Sequence, residues 1–253
     1  MTDPTFRADL YRGAGRDYDR YRLPYPRPLI ADLAQRTHAQ GRLLDLACGT
    51  GQLTFALCDQ FAETWAVDLE PDMIDVVRAK GDVHTEVCAA EDLAAPADYF
   101  DLVTIGNAFH RLRRTPVAAN VQRWLRPGGF LALVWGRAPW DGDEPWQQAL
   151  SATMERWRPA SRIPASWEEA RRSTPDAAIL KAAGFQIVGH YEFPTAHVWT
   201  PDSVVGFLYS TSVLSRQALG DLAPDFEQDV RRILTGELRQ LIDFGYDLAR
   251  NVS

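Results

Sequence analysis

The sequence predicts an α/β protein built on a mostly parallel sheet with helices on both faces. Three observations carry that prediction. Leu43-Leu44-Asp45-Leu46 runs through a small-residue turn, Ala47-Cys48-Gly49-Thr50-Gly51, into helical spacing at Leu53, Phe55, Ala56 and Leu57. Apolar runs then alternate with helically spaced segments down the chain, as βα units with right-handed crossovers do. Leu102-Val103-Thr104-Ile105 is nearly continuous in apolar character, as expected of a strand buried on both faces.

Taken in order, the first forty residues begin polar and rich in arginine and tyrosine, and turn at Leu23-Pro24-Tyr25-Pro26. A helix follows from Pro28, a permitted proline position, with Leu29, Ile30, Leu33 and Ala34 on one face. Strand one ends at Leu46, strand two covers residues 64–68, and a helix fills 71–80 with Met73, Ile74 and Val77 inward. Strand three is expected at 83–88, strand four at 101–106, a helix at 117–125 and strand five at 130–135 after Pro127-Gly128-Gly129. A helix at 177–183 ends at Gly184, and a sixth strand spans 185–193. Thr200 or Asp202 caps a helix carrying Val204, Val205, Leu208 and Tyr209, and another helix covers about 226–238. Five of the eight tryptophans fall between Trp135 and Trp167, which makes residues 136–172 more than a linker and suits a lid over an apolar substrate.

Glycines after a strand let the backbone approach a ligand, and the helix N-terminus beyond them offers free N–H groups, so a nucleotide-like cofactor is expected here. The dinucleotide fingerprint needs a third glycine, and this loop has Thr54 in that place. Asp68, at the end of strand two and roughly 20 residues on, can accept hydrogen bonds from ribose hydroxyls, a feature that equally suits NAD.

The pattern Asp45-x-Ala47-x-Gly49-x-Gly51 resembles the first motif of class I S-adenosylmethionine-dependent methyltransferases. Other stretches agree. Tyr18 to Pro26 resembles the Y-x-x-Y-R-P-x-Y-P opening of small-molecule methyltransferases, with Leu23 in place of a proline. Ala89-Ala90-Glu91-Asp92-Leu93 resembles the A-x-E-D-L segment after strand three. Asn107-Ala108-Phe109-His110 resembles the A-F-H-W segment of enzymes related to trans-aconitate methyltransferases, with Arg111 replacing the tryptophan. Leu125 to Gly129 matches an L-[KR]-P-G-G turn, and residues 241–249 resemble a final strand that enters antiparallel between strands five and six.

The resemblance implies a Rossmann-like seven-stranded sheet, mostly parallel with an antiparallel last strand, helices on both faces, and helical lid insertions. It implies one domain over 1–253: an arm and helix at 1–40 covering the cofactor, a cofactor-binding core at 41–135, and substrate-side insertions at 136–172 and 197–240. The implied cofactor is S-adenosyl-L-methionine, with S-adenosyl-L-homocysteine as product. Tyr18, Arg22, Asp45, Ala47, Gly49, Gly51, Asp68, Leu69, Met73, Ala90, Glu91 and Asn107 are its expected contacts, Arg22 through the cofactor's carboxylate. His110, beyond the end of strand four, is the candidate base. Tyr11, Arg111, Trp140, Trp146 and Tyr209 are candidates for the acceptor pocket, and Arg111, Arg113 and Arg114 could attract a carboxylate.

Composition sets bounds on the rest. A net charge of -7 argues against nucleic-acid binding, which needs a basic face. No apolar stretch is long enough to span a bilayer and no signal peptide is evident, so a cytoplasmic protein without a membrane partner is expected. Cys48, Cys58 and Cys88 form no C-x-x-C pair, and no metal is implied. The expected activity is methyl transfer to O, N or C of a small-molecule metabolite by a monomer or homodimer. An NAD(P)-dependent oxidoreductase and a non-methylating S-adenosylmethionine-binding protein of the same fold are the alternatives.

Overall fold

The computed structural model describes residues 11–161 and 174–252. Seven strands form one sheet: β1 (Arg42–Leu46), β2 (Glu63–Asp68), β3 (His84–Val87), β4 (Phe100–Gly106), β5 (Leu125–Gly136), β6 (Phe185–Trp199) and β7 (Leu238–Asn251), in the order β3-β2-β1-β4-β5-β7-β6. Strands β1 to β5 are mutually parallel, and β7 pairs antiparallel with both β5 and β6. The expected seven-stranded, mostly parallel sheet with an antiparallel last strand is what the chain forms.

The helices are α1 (Gly15–Tyr21), α2 (Arg27–Arg36), α3 (Gln52–Leu57), α4 (Pro71–Lys80), α5 (Arg114–Trp124), α6 (Pro145–Trp157), α7 (Asp176–Ala182), α8 (Pro201–Tyr209), the single turn α9 (Arg216–Leu219) and α10 (Ala223–Ile233). Side chains alternate across a strand, so an unbroken apolar run feeds two cores at once. Leu43, Leu102 and Ala132 face α2, α3 and α8, whereas Leu44, Val103, Leu131 and Leu133 face α5 and α7. Burying each such leucine contributes about 1.5–3 kcal/mol.

Several boundaries differ from expectation for identifiable reasons. The arm is helical at α1, which is held to α4 by the Gly15 N–H on Asp72 (2.8 Å) and by the Lys80–Asp19 ion pair. Strand six runs on past Phe193 to Trp199, because Pro194 sits in an edge strand where a missing donor is tolerated. The second insertion is therefore narrower than 197–240, since both its ends are strand. The helix expected to reach residue 238 stops at Ile233, where Gly236 turns with φ +78° and β7 begins at Leu238. Of the tryptophan-rich insertion, α6 is seen, and Trp167 lies outside the described residues. No helix among the described residues is long and apolar enough to cross a membrane.

Candidate active site

The turn after β1 is what opens the site. Ala47, Gly49 and Gly51 adopt φ of +57°, +57° and +84°, which lifts the backbone away from the strand before α3 begins at Gln52. Glycine takes these angles without the penalty a side chain brings. Asp45 fixes the turn from beneath. Its carboxylate, 1% exposed, accepts from the Thr54 N–H (3.0 Å), the Thr54 hydroxyl (2.6 Å) and the Thr104 hydroxyl (2.8 Å). Burial outweighs these donors and pushes the acid up to about 6.

Two hollows lie beyond the carboxyl ends of the parallel strands, where ligands of open α/β sheets bind. The first, about 810 Å³ with its open mouth, is walled by Ala47 and Gly49 of the turn, Asp68 to Glu70 and Met73 after β2, Cys88 to Glu91 after β3, and Asn107, Ala108 and Arg111 after β4. The second, about 550 Å³, is walled by Arg22, Tyr25, Asp45, Gln52, Arg137, Phe207 and Phe244 among others. Tyr18, Ala47, Gly106 and Asn107 belong to both. The two spaces therefore meet at the ends of β1 and β4.

The polar groups are already organised. Asp68 accepts the Gly49 N–H on one oxygen (2.8 Å) and the Glu70 N–H on the other (3.0 Å), and burial pushes its carboxyl up. Glu91 accepts the Arg113 N–H (2.8 Å). Asn107, at φ +50°, accepts the Gly136 N–H (3.3 Å), and burial raises the pKa of the Tyr25 hydroxyl on the same wall. Arg22 lies between the rings of Tyr18 and Phe207, 4.6 Å from each centroid, and donates to the Ser210 hydroxyl (2.9 Å) and carbonyl (3.1 Å). Tyr18 packs over Gly49, where a Cβ would stand 3.1 Å from its ring.

Residues 43–129 match the family model described as a methyltransferase domain. Over those residues the chain is similar to methyltransferase domains. An uncharacterized methyltransferase of Mycobacterium tuberculosis is 37% identical over 119 residues, which cover 47% of this chain and 48% of that protein. The ubiquinone/menaquinone biosynthesis C-methyltransferase UbiE of Paraburkholderia xenovorans is 33% identical over 109 residues, 40% of this chain and 45% of UbiE. The chain thus spans about half the length of the curated relatives it matches. A candidate type II methyltransferase from Anaeromyxobacter dehalogenans superposes with a TM-score of 0.65 over 91% of this chain and 97% of its own, at 22% identity, a likeness of fold.

The fold brings most of the residues expected at the cofactor to the walls of the two hollows. Tyr18, Ala47, Gly49, Asp68, Leu69, Met73, Ala90, Glu91 and Asn107 wall the first hollow, and Arg22 and Asp45 the second. Gly51 serves the turn. Tyr11 and Arg111, expected beside the acceptor, instead wall the first hollow, with the Arg111 guanidinium 5.2 Å from the Tyr11 ring and bonded to Ser212 (2.5 Å).

Trp146 and Tyr209, expected beside the acceptor, line neither hollow. Trp146 is 8% exposed and donates to the Arg239 carbonyl (3.3 Å), and Tyr209, 1% exposed, donates to the Ala223 carbonyl (2.9 Å). Both are core residues of the α6, α8 and α10 layer. Trp140 packs edge-on against Phe207 behind the wall. His110, on the single 3-10 turn Phe109–Arg111, lines neither hollow.

Residues that sequence reasoning missed include Tyr25, Phe207, Phe244, Arg137 and Glu70. Tyr25 stood inside the quoted opening motif and was available as a signal. Phe244 reaches the site because β7 inserts between β5 and β6, a placement the resemblance of residues 241–249 implied without singling out this side chain.

The first hollow fits an S-adenosylmethionine nucleoside. Leu69, Met73, Ala89 and Ala90 offer apolar or small surfaces for a ring, Asp68 and Glu70 offer carboxylates for hydroxyls, and one buried Glu70 oxygen has no hydrogen-bond partner among the described residues.

Proposed function

We propose that this domain transfers a methyl group from S-adenosylmethionine to a small acceptor carrying an apolar or aromatic ring. The observation that supports this best is the shared wall. A nucleoside-sized cleft and a second, aromatic-lined chamber meet at Tyr18, Ala47, Gly106 and Asn107. When bound, the cofactor supplies a sulfonium-borne methyl group open to in-line displacement.

The chain's own work is to align and to exclude water. Asp68, Glu70 and Glu91 receive the nucleoside's donors, while Leu69 and Met73 pack its ring. Arg22, held between two aromatic faces, presents a fixed positive charge toward a carboxylate. Tyr25, Phe207 and Phe244 supply the apolar walls of the acceptor chamber, and the Tyr25 hydroxyl, kept protonated by burial, can donate to the acceptor.

Calorimetry with S-adenosylmethionine, S-adenosylhomocysteine and NAD tests the cofactor, and methyl-labelled S-adenosylmethionine incubated with a metabolite extract tests the transfer. Binding of the two sulfur nucleosides together with label in a small product is expected. Uptake of NAD instead, or binding with no label transferred, would overturn the reading.

A further inference from the structure

Glu70 precedes α4 and is 5% exposed. A carboxylate is costly to bury unless its oxygens are hydrogen-bonded. The helix does not take it up: Pro71 has no N–H, the Met73 N–H goes to the Glu70 main-chain carbonyl (3.1 Å), and no side-chain cap forms. Arg12 and the Tyr11 main chain lie near enough to favour the charged carboxylate, yet Oε1 has no hydrogen-bond partner among the described residues. Burial and the neighbouring Asp72 push its pKa up, while Arg12 acts the other way. Glu70 also forms part of the wall of the nucleoside cleft.

Asp68 beside it is in a different state. Its two oxygens already accept the Gly49 and Glu70 N–H groups, so that acid is largely spent on shaping the turn.

We propose that Glu70 Oε1 accepts one ribose hydroxyl of the cofactor, sharing the diol with Asp68. This rests on the cleft's being the S-adenosylmethionine site. Glu70 is a specificity-determining residue for ribose over deoxyribose rather than a group that acts on the methyl.

The test is calorimetry of S-adenosylhomocysteine and its 2′-deoxy and 3′-deoxy forms with the wild type, Glu70→Ala and Glu70→Gln. Glu70→Ala is expected to weaken S-adenosylhomocysteine about ten- to a hundredfold, the range for a hydrogen bond to a charged group. One deoxy form should bind the wild type that much more weakly and lose nothing further in Glu70→Ala, while the other still loses in full. Glu70→Gln, which keeps shape and an acceptor oxygen, should show a smaller loss with the same pattern, and carries the cycle if the alanine variant does not fold. Unchanged affinity in the variants, or losses that multiply for both deoxy forms, overturns the role of Glu70 alone. A wild type that takes no S-adenosylhomocysteine overturns the cofactor reading with it.

Discussion

Thr54 gives both its main-chain N–H (3.0 Å) and its hydroxyl (2.6 Å) to a single oxygen of Asp45. Thr104 on β4 takes the other oxygen, so one acid joins two neighbouring strands to the first turn of α3. Asp45 is thus first a fastener of the glycine turn.

The fastener predicts a pH dependence. The buried carboxyl titrates at about 6 against 3.8 as its ordinary value, so the folded chain holds this proton more tightly than the unfolded chain does. Stability from this group is therefore greatest below pH 4 and is lost as pH rises toward 6, by on the order of 3 kcal/mol. Asp45→Asn should flatten that part of the curve. Urea midpoints of both proteins at pH 4.5, 5.5 and 7 measure it, and parallel curves would refute the assignment.

Gly51→Ala should damage both fold and binding. At φ +84° an added Cβ would lie 2.8 Å and 2.9 Å from two atoms of the Phe55 ring. The strain costs about 1–3 kcal/mol. Gly220, at φ +54° with nothing within 4 Å, is the control. Alanine there should lower the melting temperature without changing affinity for S-adenosylhomocysteine.

Tyr209→Phe separates core from site. The hydroxyl bonds the Ala223 carbonyl (2.9 Å) and Glu227 (3.2 Å), so its loss should cost about 1–3 kcal/mol in denaturant melts. Once an acceptor is in hand, KM and kcat should hold steady. A large rise in KM would return Tyr209 to the acceptor site.

His110→Ala should change turnover less than about tenfold, because a base must reach the acceptor and His110 walls neither hollow. A loss of about 100-fold with cofactor affinity unchanged would restore it as the base.

A second titration lies on the sheet's exposed face. The His190 ring bonds Asp247 (2.7 Å) and Glu192 (3.2 Å), and the Asp247 bond chiefly raises its pKa above 6.5. Its contribution is present in full below pH 6.5 and fades as pH climbs through the raised value. The pair is half-exposed, so the effect should be about 0.2–1 kcal/mol. Melting temperatures of the wild type and His190→Gln should differ at pH 5.5 and converge at pH 9.

The glycine turn, the acids after the first two strands and the limits of α4 were all legible, because each depends on neighbours within a few residues. The burial of Tyr209 and Trp146 away from both hollows was not legible, for the opposite reason. An amphipathic ring suits a core or a pocket equally well, and the carbonyls that decided between them, of Ala223 and Arg239, lie 14 and 93 residues away. No motif marks Glu70, and only the fold reveals an oxygen without a donor among the described residues.

The seat of β7 imposes an order on assembly. Strand β5 stands next to nothing on its outer side until residues 238–251 have left the ribosome, and β6, although made earlier, has no strand to rest on before then. Newly made chain must wait with an unfinished sheet edge, and the last strand arrives as a keystone. Such a chain closes its sheet only once residues 238–251 have been made, and is most open to capture by chaperones, or by another copy of itself, just before they arrive.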